Sequence, residues 1–210
     1  SEIQLIDNKK YIGIEVEVEN YRASEIKIPY DPGLWQIRAD GSLRNHGIEF
    51  VSIPLRGKPI FLAIHNLFQH LPEAVHFSER TSIHIHLNVR DITIGCLLNL
   101  IMLYIVFEHS LYRFAGPTRY KNVFCVPIQE TRLPILISDT LIHEDIRMLI
   151  RNWQKYSGMN VLAIYNYGTI EYRIMEGNRN EQKILNWINL LLQLHKYAET
   201  HTFYELFNHI

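Results

Sequence analysis

Four short stretches of the sequence alternate apolar residues with groups able to carry charge or bind a metal. Gly13-Ile14-Glu15-Val16-Glu17 sets two carboxylates two residues apart, and Ile48-Glu49-Phe50 sets one between apolar neighbours. Ser82-Ile83-His84-Ile85-His86-Leu87-Asn88 repeats the pattern with two imidazoles, and Ile170-Glu171-Tyr172-Arg173-Ile174 with an acid and a guanidinium. On a strand, residues i and i+2 share a face about 6.5–7 Å apart. Carboxylates so placed repel one another unless a proton or cation lies between them. Side chains of this length converge on one ion, or on two about 3.5–4 Å apart. Each stretch alone also reads as a solvated outer face. Four in one chain predict a common polar surface with the aliphatic faces turned to a core.

The donor types narrow the chemistry. Carboxylates dominate and no thiolate shares the pattern, which suits Mg²⁺ or Mn²⁺ with substrate phosphates completing the shell. Arg173 beside Glu171 suits a phosphate clamp, because a guanidinium fork matches phosphate oxygens. Zinc is the rival ion, with His84 and His86 as nitrogen ligands and Glu15 or Glu49 as the third. The sequence has neither a glycine-rich Walker loop nor a dinucleotide fingerprint, so any nucleotide must be held chiefly by metal and side chains.

The elements that must position these groups are legible in outline. Period-two alternation predicts strands over Tyr11–Glu19 and Ser82–Val89, and shorter strands over Trp35–Ala39 and Gly47–Ile53. Turns are expected at Tyr30-Asp31-Pro32-Gly33 and Asp40-Gly41-Ser42. Val161–Tyr165 and Gly168–Met175 read as two strands joined by a tight turn. Helices are expected over Phe61–Leu71, Ile92–Ala115, Leu141–Trp153 capped by Thr140, and Glu181–Tyr197. Strands linked by turns rather than by regular crossover helices predict an α+β fold: an antiparallel sheet backed by helices.

At 210 residues the chain is expected to form a single domain over 1–210. Apolar residues make up 47%, enough for a full core, and the net charge of −1 disfavours a nucleic-acid partner or a polybasic membrane anchor. Cys96 and Cys125 are too few for a disulfide framework. Ser1–Lys10 lacks the apolar run of a signal peptide, and the apolar stretch Cys96–Phe107 reads as too short to span a bilayer. The expected setting is cytoplasmic, with no membrane partner.

The order of motifs resembles the putative amidoligase family, which groups with carboxylate–amine ligases of glutamine synthetase and glutamate–cysteine ligase type. The resemblance is carried by Gly13-Ile14-Glu15-Val16-Glu17, Asp40-Gly41-Ser42-Leu43, Gly47-Ile48-Glu49-Phe50, His84-Ile85-His86, Phe124-Cys125-Val126-Pro127 and Gly168-Thr169-Ile170-Glu171-Tyr172-Arg173. It extends to Arg119, to Lys155-Tyr156 with Asn160, and to Gly177-Asn178-Arg179-Asn180; Val126 and Asn178 depart from the family's usual Arg and Thr. It implies a glutamine synthetase-like catalytic fold, a curved antiparallel sheet lining an active-site cavity that takes ATP and Mg²⁺, with Mn²⁺ an alternative. Glu15, Glu17, Glu49 and Glu171 would be metal ligands, and His84 or His86 would contact metal or nucleotide phosphate. Asp40 would shape the metal and amino-substrate region, Arg173 would hold the γ-phosphate, and Arg119 would be a second clamp. The implied reaction joins a small-molecule or peptide carboxylate to an amine through an acyl phosphate. Three other readings of the same residues stay open: a zinc hydrolase using His84 and His86, a guanidino-type phosphotransferase, and a silent nucleotide–metal binding protein. Oligomeric state is not legible.

Overall fold

The computed structural model of the protein describes residues 9–21, 33–143, 146–201 and 205. Ile12–Val18 forms β1, an interior strand of a six-stranded sheet ordered β2-β3-β1-β4-β6-β5. The other strands are β2 (Trp35–Ala39), β3 (Ile48–Ser52), β4 (Ser82–Asn88), β5 (Met159–Asn160) and β6 (Thr169–Glu176), and every ladder is antiparallel. The expected α+β class and antiparallel pairing hold.

Helices α1 (Lys58–His70), α2 (Ile94–Ala115), α3 (Leu133–His143), α4 (Ile146–Arg151), α5 (Ala163–Tyr167) and α6 (Glu181–Thr200) complete the order. Local chemistry starts the two long ones. Thr93 Oγ1 accepts the Cys96 amide before α2, and Asn180 Oδ1 accepts the Lys183 amide before α6. Together α2 and α6 pack on the aliphatic face of the sheet. That face presents Ile12, Ile14, Val16 and Val18 of β1, Ile83, Ile85 and Leu87 of β4, and Ile170, Tyr172 and Ile174 of β6, all buried in one core. Hydrogen bonds fix the helices in place: His195 of α6 to the Tyr172 hydroxyl at 2.8 Å and Trp35 Nε1 to the Ala63 carbonyl of α1 at 3.1 Å, both buried, and Asn99 Nδ2 to the His201 carbonyl at 2.8 Å, partly so.

Burying one aliphatic side chain of this size contributes about 1.5–3 kcal/mol. A one-residue slip of β1 would expose all four of its aliphatics and drive its carboxylates into the core. The apolar face thereby fixes which residues face the opposite side.

The sequence reading needs correction in two places. Thr140 does not cap a helix but lies inside α3, its hydroxyl donating to the Leu136 carbonyl at 2.8 Å; Thr131 Oγ1 instead accepts the Leu133 amide at the start of α3. The predicted strand Val161–Tyr165 is instead largely the short helix α5, and the pairing with β6 is made by Met159 and Asn160 just before it. Asn160 Oδ1 accepts the Leu162 amide at 3.0 Å, an Asx turn that ends the strand, and Gly168 at φ 66° closes the helix. The expected turn at Tyr30–Gly33 falls mostly outside the described residues.

A further difference concerns α2. Its 22 residues are long and apolar enough to cross a bilayer by length and composition, which the shorter stretch read from sequence was not. Here one side packs on α6 and β6, and its buried Glu108 accepts the Ile128 amide at 2.7 Å.

Gly158 sits where α2 meets β6. A Cβ there would lie 2.5 Å from the Tyr112 hydroxyl and 2.6 Å from both the Tyr104 hydroxyl and Ile174 Cγ2. All three neighbours are buried and cannot swing away. Gly158→Ala is expected to cost roughly 1–3 kcal/mol by overpacking, read as a lowered midpoint in thermal or urea unfolding. An unchanged midpoint would show that this junction is looser than described.

Candidate active site

Antiparallel pairing brings the polar positions into cross-strand rows. Glu17 of β1 pairs with Glu49 of β3, Glu15 of β1 with His84 of β4, and His86 of β4 with Glu171 of β6. Asn160 of β5 then pairs with Glu171, and Arg38 of β2 with Glu49. These side chains line a cavity of about 600 Å³ on the sheet face opposite the core, joined by Asp40, Arg173 and aromatic residues from the loops. Cavities of this size take small organic ligands and nucleotides.

The register between β4 and β6 is irregular at a telling place. Ile83 faces Met175 and Ile85 faces Tyr172, so Arg173 and Ile174 together span the position opposite His84. Such a bulge re-aims side chains. Arg173 lines the cavity, with Nε donating to the Phe124 carbonyl at 3.1 Å, its guanidinium paired to Glu171, and Tyr156 5.7 Å away.

The two histidines differ in what they can still do. His84 Nδ1 lies 3.0 Å from Glu15 Oε2 and 3.3 Å from Glu171 Oε1, while its Nε2 lies 2.7 Å from the Ser82 hydroxyl. Both ring nitrogens therefore face oxygen partners. His86 bonds the Thr169 hydroxyl through Nδ1 at 2.9 Å, but its buried Nε2 has no hydrogen-bond partner among the described residues. That nitrogen lies 3.3 Å from Glu15 Oε1. An imidazole oriented through one nitrogen, with the other turned toward a carboxylate but not hydrogen-bonded, has the arrangement of a metal ligand.

Ligand atoms of Glu15, His86 and Glu171 all lie within 4.8 Å of one another, as do those of Glu15, Glu49 and His84 and those of Glu17, Asp40 and Glu49. The three groups share members and form one continuous acidic lining. Glu17 is anchored by the Ser82 amide at 2.7 Å and the Ser82 hydroxyl at 2.5 Å, and Asp40 Oδ1 accepts the Ser42 amide at 2.8 Å. Each keeps further lone pairs for another partner.

The electrostatics register the crowding. Burial, then the negative charges of Glu15, Glu17 and Asp40, push the Glu49 carboxyl up to about 9. Burial alone would raise Glu15 too, but the hydrogen bond to His84 and the close His86 imidazole outweigh it and hold the carboxyl far below its usual range. In Glu171 burial is likewise overcome, chiefly by Arg173 and the imidazoles, and the pKa is lowered. Burial lowers the pKa of His86, but the Glu15 carboxylate more than offsets this and the net shift is upward. The proton that Glu49 retains does part of the neutralising work that a cation would do, and the set of oxygens with the His86 imidazole fits a hard divalent ion.

The structure therefore gathers Glu15, Glu17, Asp40, Glu49, His84, His86, Glu171 and Arg173 around one cavity. Arg119 is the exception. It is 1% exposed and absent from the cavity wall, and its guanidinium donates to the Glu79 carbonyl at 3.1 Å and the Arg173 carbonyl at 3.0 Å. The expected second clamp is instead a strut beneath β6. Other residues at the cavity were not singled out from sequence. Arg80 lines it while donating to the Ser42 carbonyl at 2.7 Å; it precedes β4, outside any alternating pattern. Thr169 is not on this wall but orients His86 from the same strand face as Glu171, a parity that could have found it.

Residues 7–195 match a family described as putative amidoligase enzyme. No curated protein matches the chain.

Divalent ions bind carboxylate and neutral imidazole, so a cation entering this cavity must displace the protons there. With Glu49 pushed up to about 9, Mn²⁺ affinity is expected to rise from about pH 7 to about pH 9 as that proton leaves. Glu49→Gln should weaken binding and flatten the rise, read by calorimetric titration. A pH-independent affinity in the unaltered protein would contradict the shared-proton account.

Proposed function

The chain belongs to the putative amidoligase enzyme family, and on that premise we propose that it is an ATP- and Mg²⁺-dependent carboxylate–amine ligase, with Mn²⁺ able to replace Mg²⁺. A substrate carboxylate oxygen attacks the γ-phosphorus of ATP, the bond from that phosphorus to the bridging oxygen of ADP breaks, and an acyl phosphate forms. The amine nitrogen then attacks the acyl carbon, inorganic phosphate leaves, and the nitrogen loses a proton. The product is an amide built from a small-molecule or peptide acid and amine. On this reading 1–210 is a single catalytic domain with a glutamine synthetase-like sheet.

The observation that carries the proposal is the grouping of four glutamates, Asp40, two imidazoles and a buried guanidinium around one cavity. A carboxylate and a triphosphate repel one another, and their approach demands concentrated positive charge. Glu15, Glu17, Glu49, Glu171 and His86 would hold divalent ions, which when bound neutralise phosphate charge and align the nucleotide. Arg173, fixed by Glu171 and the Phe124 carbonyl, presents its remaining donors toward the γ-phosphate. Asp40 shapes the end of the cavity where the amine approaches. His84 organises the carboxylates from between them.

The zinc-hydrolase reading needs both imidazoles as ligands, and His84 already has both ring nitrogens against Glu15 and Ser82. The geometry favours the ligase.

ATP-to-ADP turnover screened over acid and amine mixtures, with mass spectrometry for a product lighter than its parents by one water, tests the reaction. Glu15→Gln or Glu17→Gln is expected to abolish Mg²⁺-dependent turnover while circular dichroism shows an intact fold; persisting turnover would remove these residues from the metal set. Arg173→Lys should slow turnover by roughly 10²-fold or more, since a point charge cannot reproduce a guanidinium fork. A near-normal rate in that variant would end the clamp assignment.

A further inference from the structure

One buried acid has no part in the cavity. Glu108 is the single acidic residue of α2, is 1% exposed, and stands outside the cavity wall. Its Oε1 accepts the Ile128 amide at 2.7 Å and its Oε2 the Gln129 amide at 3.3 Å, at the start of the 3₁₀ turn Ile128–Glu130. One turn further along α2, the Tyr112 hydroxyl donates to the Cys125 carbonyl. Both side chains hold the segment 124–130 from its α2 side.

The opposite side of that segment holds the phosphate clamp. The Phe124 carbonyl accepts Arg173 Nε at 3.1 Å, and the Phe124 ring lines the cavity. The Val126 amide donates to the Tyr156 carbonyl at 2.7 Å, the Gly158 amide to the Val126 carbonyl at 2.9 Å, and the Arg173 amide to the Gly158 carbonyl at 2.9 Å. Arg173 is therefore tied to the segment through its side chain and its main chain. Resting on the ligase reading, we infer that Glu108 is a positioning residue for Arg173: its ionised carboxylate holds the segment 124–130 against α2 and so fixes where the guanidinium meets phosphate.

A carboxylate is a costly choice at this place unless its charge has a use. Burial outweighs the two amides and, with Glu130 adding to the rise, pushes the Glu108 carboxyl up to about 7. The other titratable groups beside it are Tyr104 and Tyr112 of its own helix, and none of the three is a cation. The folded chain thus keeps a proton at Glu108 that the unfolded chain releases near the ordinary value of 4.5, and the stability this gives is lost as pH rises through about 7. Glutamine would fill the same space without that loss. It has one acceptor oxygen for two amides, however, and its own NH₂ would face the second.

The test compares Glu108→Gln with the unaltered protein. In NMR spectra of the unaltered protein, the Ile128 and Gln129 amides and the Arg173 Nε–H should shift together with a midpoint of about pH 7. None of the three should show that midpoint in Glu108→Gln. At about pH 8 the variant should melt no lower than the unaltered protein. It should nevertheless bind a non-hydrolysable ATP analogue with Mg²⁺ about threefold or more weakly, the margin between a charged and a neutral acceptor. In protein already carrying Arg173→Lys, the same change should leave that affinity unaltered. An Arg173 signal that ignores the Glu108 titration, or an affinity loss that persists without the Arg173 guanidinium, overturns the inference. A variant that melts lower or fails to fold assigns Glu108 to stability alone and overturns it as well. If the unaltered protein binds no ATP analogue, the ligase reading is what falls, and the Arg173 signal still decides whether Glu108 positions that side chain.

Discussion

Mutual repulsion among buried carboxylates is the constraint around which this molecule is organised. Glu15, Glu17, Glu49 and Glu171 sit on one sheet face and are largely withdrawn from water, an arrangement that costs free energy unless positive charge enters among them. The protein supplies part of that charge through His84, His86 and Arg173. It leaves enough uncompensated that one carboxyl is driven to hold its proton near neutral pH. A sequence selected only for stability would put apolar or solvated groups at these positions. The imbalance is what the proposed cations and the phosphate chain of a nucleotide would correct.

Such a cluster needs a rigid floor, and the opposite face of the same strands provides it. The aliphatic residues of β1, β4 and β6 are packed under α2 and α6, with polar ties from His195, Asn99 and Trp35 holding the layers together. Because strand residues alternate, the packing that buries Ile14 and Val16 also aims Glu15 and Glu17. Arg119 carries this support to the edge of the site by holding the Arg173 carbonyl from beneath. Folding and site geometry are thus coupled through the period of the strand.

Where both faces of an element had distinct chemistry, the sequence could be read well. Strands β1, β3, β4 and most of β6 were legible because a polar and an aliphatic residue alternate with few exceptions, and the two long helices because their apolar residues recur over stretches too long for a strand. Residues 133–167 were misread because Leu, Ile, Tyr and Asn occur there without a clear period. In that region an Asx turn at Asn160 and the left-handed Gly168 decide the path. Arg119 was misjudged for a related reason: sequence shows a guanidinium but not whether backbone carbonyls will occupy it. Arg80 was not legible because it reaches the cavity from the connection before β4, where no periodicity reports direction. The choice between His84 and His86 depends on their contacts to Glu15 and Thr169, and those exist only once β1, β4 and β6 are in register.

The most direct test of the central claim is anomalous diffraction from crystals of this protein soaked with Mn²⁺ and a non-hydrolysable ATP analogue. The account predicts manganese peaks inside the cavity, among the residues that would hold the ions, Glu15, Glu17, Glu49, Glu171 and His86. Manganese found only at other surfaces, with these carboxylates still sharing protons among themselves, would contradict it.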